Sequence, residues 1–318
     1  MKKLLFAALA FAAVACSKSE VVEQPSPLAI GFDSPFIENS TKATDLTTGD
    51  NGTLQDFGVY GYVETVGGIV FNNEKVSKNG SDWKYDNTQY WVAGKPYFFT
   101  AIAPASQGEK YAPTAVNAGT INFDNTSANI DLLYAHTPVA AITGPITAQP
   151  APVKFSFNHI LSRVKFSFEN KMVAENAKIT ISNVAIKDAY KTGVATITDG
   201  KLASWAPADP TNTVSFDGIA DAIEINKEGE TDHMYFIPAN ETYTLTFTVA
   251  LTQGTVAIAT KTHTVTIPAV NMQAGFSYDF KAVLNEENVV ENLFPITFTA
   301  EATPWENFGE ATEVPVQK

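Results

Sequence analysis

Residues 153–169 read VKFSFNHILSRVKFSFE, and this stretch decides the fold class. In its first part, Val153, Phe155 and Phe157 alternate with polar residues, which is the period of a half-buried β-strand. The alternation resumes at Val164 on the opposite parity. Because one extra residue turns every later side chain of a strand to the other face, the change predicts a bulge or a break near His159 to Arg163.

The same period of two runs through most of the chain. Residues 57–63 (FGVYGYV) and 243–251 (YTLTFTVAL) are typical, being short, alternating and rich in threonine, valine and aromatic residues. Glycine, asparagine and aspartate separate such segments, as the turns of β-hairpins require. No convincing amphipathic helix interrupts them, so the sequence predicts an all-β fold built from sandwiches.

The length of 318 residues, with 45% hydrophobic content, is enough for about two domains with their own cores. Pro145, Pro150 and Pro152 crowd the segment ITGPITAQPAPV at 142–153, where they remove backbone donors. We therefore expect an N-terminal β-domain at 28–150 and a C-terminal β-domain at 151–318.

The charge of the chain excludes one class of partner. Its 34 acidic residues outnumber 21 basic ones, which gives a formal net charge of −13. Such a surface repels phosphate backbones, so we expect no nucleic-acid partner.

The first 15 residues have the pattern of a secretory signal peptide: two lysines, an apolar run too short for a membrane span, and small residues before Cys16. Cys16 is the only cysteine and cannot form an internal disulfide. We expect acyl chains on Cys16 to anchor the protein in a membrane, with residues 16–27 as a flexible tether. The alternative is a stray thiol removed with the leader.

Residue patterns of catalysis or metal binding are largely missing from the sequence. His136, His159, His233 and His263 are scattered without metal-ligand spacing, and there is no G-x-S-x-G nucleophile elbow. We therefore expect no enzymatic activity, no metal and no cofactor. His159 is expected to be a hydrogen-bonded structural residue. An extracellular hydrolase is the least supported interpretation, because neither a nucleophile nor a metal cluster is visible in the sequence. The many carboxylates also single out no catalytic pair.

An aromatic cluster at residues 81–99 is the richest candidate for a binding surface. Trp83, Tyr85, Tyr90 and Trp91 could stack against a sugar or a protein partner. The competing interpretation is that they fill the core, as aromatic residues of β-proteins usually do.

Several segments together resemble the fimbrillin family of Bacteroidales surface lipoproteins, the subunits of type V pili. They are IGFDSP (30–35), STKATD (40–45), YWVAGKPYFFTAIAP (90–104), DLLYAHT (131–137), FNHILSRVKF (157–166) and ITFTAEATPWENFG (296–309). The resemblance implies two transthyretin-like β-sandwich domains in tandem and a location in fimbriae on the outer membrane.

The resemblance also implies a mechanism of assembly. A surface protease removes the first strand of the lipoprotein precursor, and the exposed groove accepts a strand from another pilus subunit. The removable strand would present Leu28, Ile30 and Phe32 to the interior, and cleavage would fall at Lys42–Ala43. The chain has lysine where arginine is usual, so an ordinary exposed loop lysine is the alternative.

The donor strand implied by the resemblance is the C-terminal stretch in which Phe294, Ile296 and Phe298 alternate. The alternative is that this stretch is the last strand of its own domain. Stalk, tip and anchor roles in a pilus are all compatible with the sequence.

A surface glycan-binding lipoprotein that uses the four aromatic residues is the competing function. Its partner would be a host or bacterial surface protein or glycan.

Overall fold

The structure, a computed structural model, describes residues 28–33, 35–37, 54–208, 212–291, 295–304 and 312–313. These residues form an all-β protein. Its first strands are β1 (Phe36–Ile37), β2 (Asp56–Val63), β3 (Ile69–Asn79), β4 (Asp82–Lys84), β5 (Tyr97–Ala103), β6 (Tyr111–Ala115), β7 (Ala118–Asp124), β8 (Leu133–Val139), β9 (Ser156–His159), β10 (Ser162–Asn170) and β11 (Ala177–Ala189).

The remaining strands are β12 (Thr192–Thr198), β13 (Lys201–Ala208), β14 (Asn212–Phe216), β15 (Ile223–Glu224), β16 (Glu228–Glu230), β17 (Met234–Phe236), β18 (Asn240–Gln253), β19 (Val256–Asn271), β20 (Phe276–Leu284), β21 (Phe298–Pro304) and β22 (Thr312–Glu313). A 3₁₀-helix spans Ala105–Lys110, and the α-helix α1 spans Glu286–Val289. Among the described residues, no helix has the length and apolar character needed to cross a bilayer.

The strands form four sheets. The first sheet has the order β1-β9-β8-β5-β2-β3-β4. Two further sheets pack around one core, and we call this pair the second sandwich. One of its sheets has the order β16-β10-β20-β21-β22, and β17 also pairs with β10. The other has the order β14-β11-β18-β19, and β15 also pairs with β11. The fourth sheet has the order β13-β12-β7-β6. We call it the shared sheet, because β6 and β7 come from residues before 150 and β12 and β13 from residues after 150.

The first sheet is buried on both faces, as alternate residues of β2 show. Phe57 and Val59 point into one core together with Phe99 of β5. Tyr60 and Tyr62 point into a second core, against the shared sheet. A third core fills the second sandwich. Because side chains of a strand alternate between its faces, one strand can line two cores.

The break predicted near His159 to Arg163 is confirmed. Strand β9 ends at His159 in the first sheet, and β10 begins at Ser162 in the second sandwich. Ile160 and Leu161 are buried between them. The parity changes because the chain passes from one sheet into another, where its apolar side chains face a different core.

His159 and Arg163 have structural contacts on either side of this break. The Nδ1 atom of His159 lies 2.9 Å from the nearer carboxylate oxygen of Asp131, and both side chains are buried. The Nε atom of Arg163 donates a hydrogen bond of 3.0 Å to Ser277 Oγ on β20. The two residues therefore fix strands to their neighbours.

The cut expected between residues 150 and 151 does not separate the sheets. Strand β9 follows the cut but belongs to the first sheet, and β12 pairs with β7 over six residues in the shared sheet. The prolines at 145, 150 and 152 interrupt the strand pattern without ending the first sheet. A break in local pattern marks a loop, whereas sheet membership depends on pairings between distant residues.

Candidate functional site

The N-terminal segment, residues 28–33, lies in a groove of the first sheet's core. One wall of the groove is residues 83–91. On this side the N–H of Ile30 donates to the carbonyl of Gln89 at 2.8 Å, and the N–H of Trp91 donates to the carbonyl of Leu28 at 3.0 Å. The segment therefore pairs antiparallel with this wall.

The opposite wall is residues 149–154, which pair with the segment in parallel. The N–H of Val153 donates to the carbonyl of Gly31 at 2.8 Å, and the N–H of Asp33 donates to the carbonyl of Val153 at 3.0 Å. The Nζ atom of Lys154 lies 3.0 Å from a carboxylate oxygen of Asp33. The segment is thus bonded on both sides, like a central strand.

Side chains of the segment fill the first sheet's core. Ile30 and Phe32 are only 1% and 6% exposed, whereas Leu28 is half-buried. Phe32 meets five aromatic rings at centroid distances of 5.4–6.3 Å, which belong to Phe57, Phe71, Tyr85, Phe99 and Phe155. The alternation predicted for this stretch places its apolar side chains inward, most completely at Ile30 and Phe32.

Two side chains also bind the segment through its backbone. The hydroxyl of Tyr85 donates to the Ile30 carbonyl at 2.6 Å and accepts from the N–H of Gln89 at 3.3 Å. Burial raises the pKa of the Tyr85 phenol above its usual value, so it stays a donor at neutral pH. The Nε2 atom of Gln149 donates to the Ala29 carbonyl at 2.7 Å. These contacts bind peptide groups and require no particular side chain on the segment.

The sequence does not predict that Tyr85 and Gln149 bind the backbone of the N-terminal segment. Tyr85 stood out only as one of several clustered aromatic residues, and Gln149 lies in a proline-rich stretch that predicts a loop. Contacts that span 55 and 120 positions leave no local pattern in the sequence.

The four aromatic residues expected as a ligand platform do not form one exposed row. Trp83 and Trp91 are 9% and 6% exposed and belong to the first sheet's core. Tyr85 is half-buried against the N-terminal segment, and Tyr90 alone among the four is exposed, at 48%. Trp83 and Trp91 therefore fill the core, as the competing interpretation expects.

The residues expected to form the donor strand lie in the second sandwich where the structure describes them. Ile296 is 4% exposed and Phe298 is 9% exposed. The ring of Phe298 contacts those of Phe166, Phe168 and Phe247. Strand β21, which begins at Phe298, pairs antiparallel with β20. Phe294 lies outside the described residues, as do Cys16 and the cleavage residues Lys42 and Ala43.

Comparison with known proteins adds a family to this geometry. A protein-family model described as "Fimbrillin-like" matches residues 41–305. No curated protein matches the chain. The family match spans the walls of the groove, the shared sheet and nearly all of the second sandwich.

Solved structures share the fold. A fimbrial protein from Bacteroides vulgatus superposes with a TM-score of 0.62 at 18% identity, covering 87% of this chain and 99% of its own. A protein assigned to cell adhesion from Bacteroides uniformis gives 0.53 at 16% identity, covering 89% and 100%. Another from Bacteroides ovatus gives 0.52 at 16% identity, covering 93% and 100%.

Proposed function

The chain belongs to the fimbrillin-like family, a family of fimbrial structural proteins and not of enzymes, and from this premise we propose that it is a surface pilus subunit that assembles by strand exchange. The N-terminal segment occupies the groove of the precursor. Its removal opens the groove to a strand from another subunit. The observation that carries this proposal is the placement of the segment, bonded along both edges and filling the core with two side chains.

Leaving the groove empty is unfavourable, and this drives the exchange. Without the segment, the N–H groups of Trp91 and Val153 lose their acceptors, and the aromatic pocket of Phe32 faces water. Burial of Ile30 and Phe32 contributes about 3–6 kcal/mol, at about 1.5–3 kcal/mol each, before ordering costs. An extended strand from another chain restores both the hydrogen bonds and the burial, which is β-augmentation.

The C-terminal stretch matches the segment in pattern. Aligning Ile296 with Ile30 and Phe298 with Phe32 gives I-x-F in both. Thr297 then replaces Gly31, where an added Cβ would meet only the Pro152 side chain, at an ordinary 3.6 Å.

The same alignment places Pro295 at the position of Ala29. The hydrogen bonds described along the groove do not use the N–H of Ala29, so the missing donor of proline costs nothing there. The backbone contacts from Tyr85 and Gln149 would bind any extended strand.

Supplying this strand to another subunit costs free energy in the subunit that supplies it. Phe298 would leave the rings of Phe166, Phe168 and Phe247, and β21 would leave β20. Exchange is therefore favourable only when the acceptor groove is empty. This cost keeps uncleaved precursors from exchanging strands spontaneously.

Delivery to the cell surface and release of the segment depend on residues before the groove-binding strand and after it. Cys16 carries the acyl chains that hold the precursor on the outer membrane, and cleavage at Lys42–Ala43 separates residues 28–33 from the rest of the chain. The covalent link is then lost, so the segment can dissociate.

The test uses precursor with a specific protease site within residues 39–45, cleaved and then mixed with a labelled peptide of residues 292–305. Binding is expected only after cleavage, and a peptide carrying Ile296→Ser and Phe298→Ser is the matched control. Cleaved protein that has lost residues 28–33, stays monomeric and binds neither peptide contradicts strand exchange through this donor.

A further inference from the structure

Strand β19 (Val256–Asn271) is the longest described strand, with 16 residues, and in the described part of the chain it is an edge strand of its sheet. Among the described strands it pairs with β18 alone. Open edges are templates for further pairing, and proteins usually block them with charges, prolines or bulges. Lys261 is the only charged residue of this strand, and Pro268 lies near its end. Residues 260–266 thus carry one charge and no proline.

The solvent face of this edge is a row of exposed threonines, at 260, 262, 264 and 266. Three of their four neighbours on β18 are threonines as well, and the fourth is an alanine. Thr262 lies opposite Thr248, with the hydroxyls 3.0 Å apart, and Thr264 lies opposite Thr246. Cross-strand threonine pairs stabilise antiparallel sheets. A strand that pairs with β19 would therefore meet a row of threonine side chains on this face.

On the other face, Lys261, His263 and Val265 are half-buried. Here an open groove of about 660 Å³ lies between residues 263–268 and residues 295–298, with Ile296 and Phe298 on its far wall. The Nζ atom of Lys261 is already engaged, because it donates to the Val290 carbonyl. A strand added to β19 would point its alternate side chains into this groove.

His263 lies midway along residues 260–266, on the groove face between Lys261 and Val265. Its ring stacks on Phe247 at 5.4 Å, and its buried Nε2 atom has no hydrogen-bond partner among the described residues. Burial, and secondarily Lys261, hold the pKa of His263 below its usual value, so the ring is neutral at pH 7. The residues that face it, Phe247 on β18, Asn288 of α1 and the apolar wall at 295–298, bring no further charge.

We propose that β19 pairs antiparallel with β19 of a second copy, centred on His263. In this register Thr262 lies opposite Thr264 of the second copy, and Lys261 lies opposite Val265 of the second copy. No two lysines meet, and neutral His263 faces neutral His263 across the two-fold axis.

The sequence TKTHTVT is close to self-complementary in this arrangement, which identifies a second copy as the partner. Each copy extends the other's threonine row and places the side chains of Lys261, His263 and Val265 toward the other's groove. A pairing of about seven residues is a small interface, so the dimer is weak and depends on concentration. It is independent of the N-terminal groove and therefore differs from strand exchange.

Sedimentation velocity of the uncleaved full chain, carrying Cys16→Ala to remove lipid-driven association, tests this pairing. We expect a dimer that forms as concentration rises. Thr262→Glu/Thr264→Glu places like charges opposite each other and raises the dissociation constant at least about tenfold. Thr262→Glu/Thr264→Lys places opposite charges there and restores it to within about threefold of the parent.

Thr180→Glu/Ser182→Glu is the matched control, because it adds the same charges to the same face away from the edge. Acidification below the lowered pKa of His263 charges both central imidazoles and weakens the dimer, whereas His263→Phe removes this response. The inference is overturned if the chain stays monomeric at its highest soluble concentration. It is also overturned if the Glu/Glu and Glu/Lys variants associate equally, or if the control weakens association as much as the edge variants.

Discussion

Phe32→Ala tests how the N-terminal segment is held in its groove. The substitution removes a ring that meets five others, the nearest of them Tyr85 at 5.4 Å, and that is 6% exposed. Truncation of a buried phenylalanine costs about 3–5 kcal/mol. Since the burial of Ile30 and Phe32 contributes about 3–6 kcal/mol in total, the variant segment is left with little net affinity for the groove.

The population of the open groove should therefore rise by roughly a hundredfold to several thousandfold. Native-state hydrogen exchange measures it directly, because the amides of Trp91 and Val153 donate to carbonyls of the segment. Both amides should exchange faster by that factor. The Phe166 amide, which donates to Thr231 Oγ1 in the second sandwich, should keep its protection.

Leu28→Ala is the matched control, because the side chain belongs to the same segment but is half-buried. We expect an acceleration of about tenfold or less at Trp91 and Val153. Two results would refute the reasoning. Either the two amides keep their parent protection in Phe32→Ala, or they accelerate together with Phe166, which would make the segment part of the global fold.

Three further predictions concern titration and binding. Burial lowers the pKa of His136, so stability should fall with pH below the unfolded value of about 6.5, and His136→Gln should flatten that slope in urea titrations. Burial lowers the pKa of Lys191 to about 8. Stability should thus rise between pH 8 and the usual lysine pKa of about 10.4, and Lys191→Met should abolish that rise. Because Trp83 and Trp91 are buried, added glycans should leave their fluorescence unchanged in a Trp205→Phe/Trp305→Phe variant, which removes the other two tryptophans, and a saturable change there would revive glycan binding.

The sequence predicts well those features that depend on local alternation. The inward placement of Ile30 and Phe32 is implied by the family resemblance. The break at residues 159–163 follows from side-chain parity, which needs no knowledge of partners. The all-β class follows in the same way.

Features that depend on distant pairings could not be predicted. Prolines at 145, 150 and 152 suggested a boundary, but residues 149–154 form a wall of the groove. The pairing of β7 with β12 joins residues about seventy positions apart and leaves no pattern in either strand. The aromatic residues at 83 and 91 looked like a binding surface because composition alone does not distinguish a groove wall from an exposed platform.

The N-terminal sequence of the subunit isolated from cell-surface filaments tests strand exchange most directly. We predict chains that begin at Ala43 and filaments from which residues 28–33 are missing. Filament subunits that begin at Cys16 and retain Ile30 and Phe32 would contradict it, because their groove would still be occupied by their own segment.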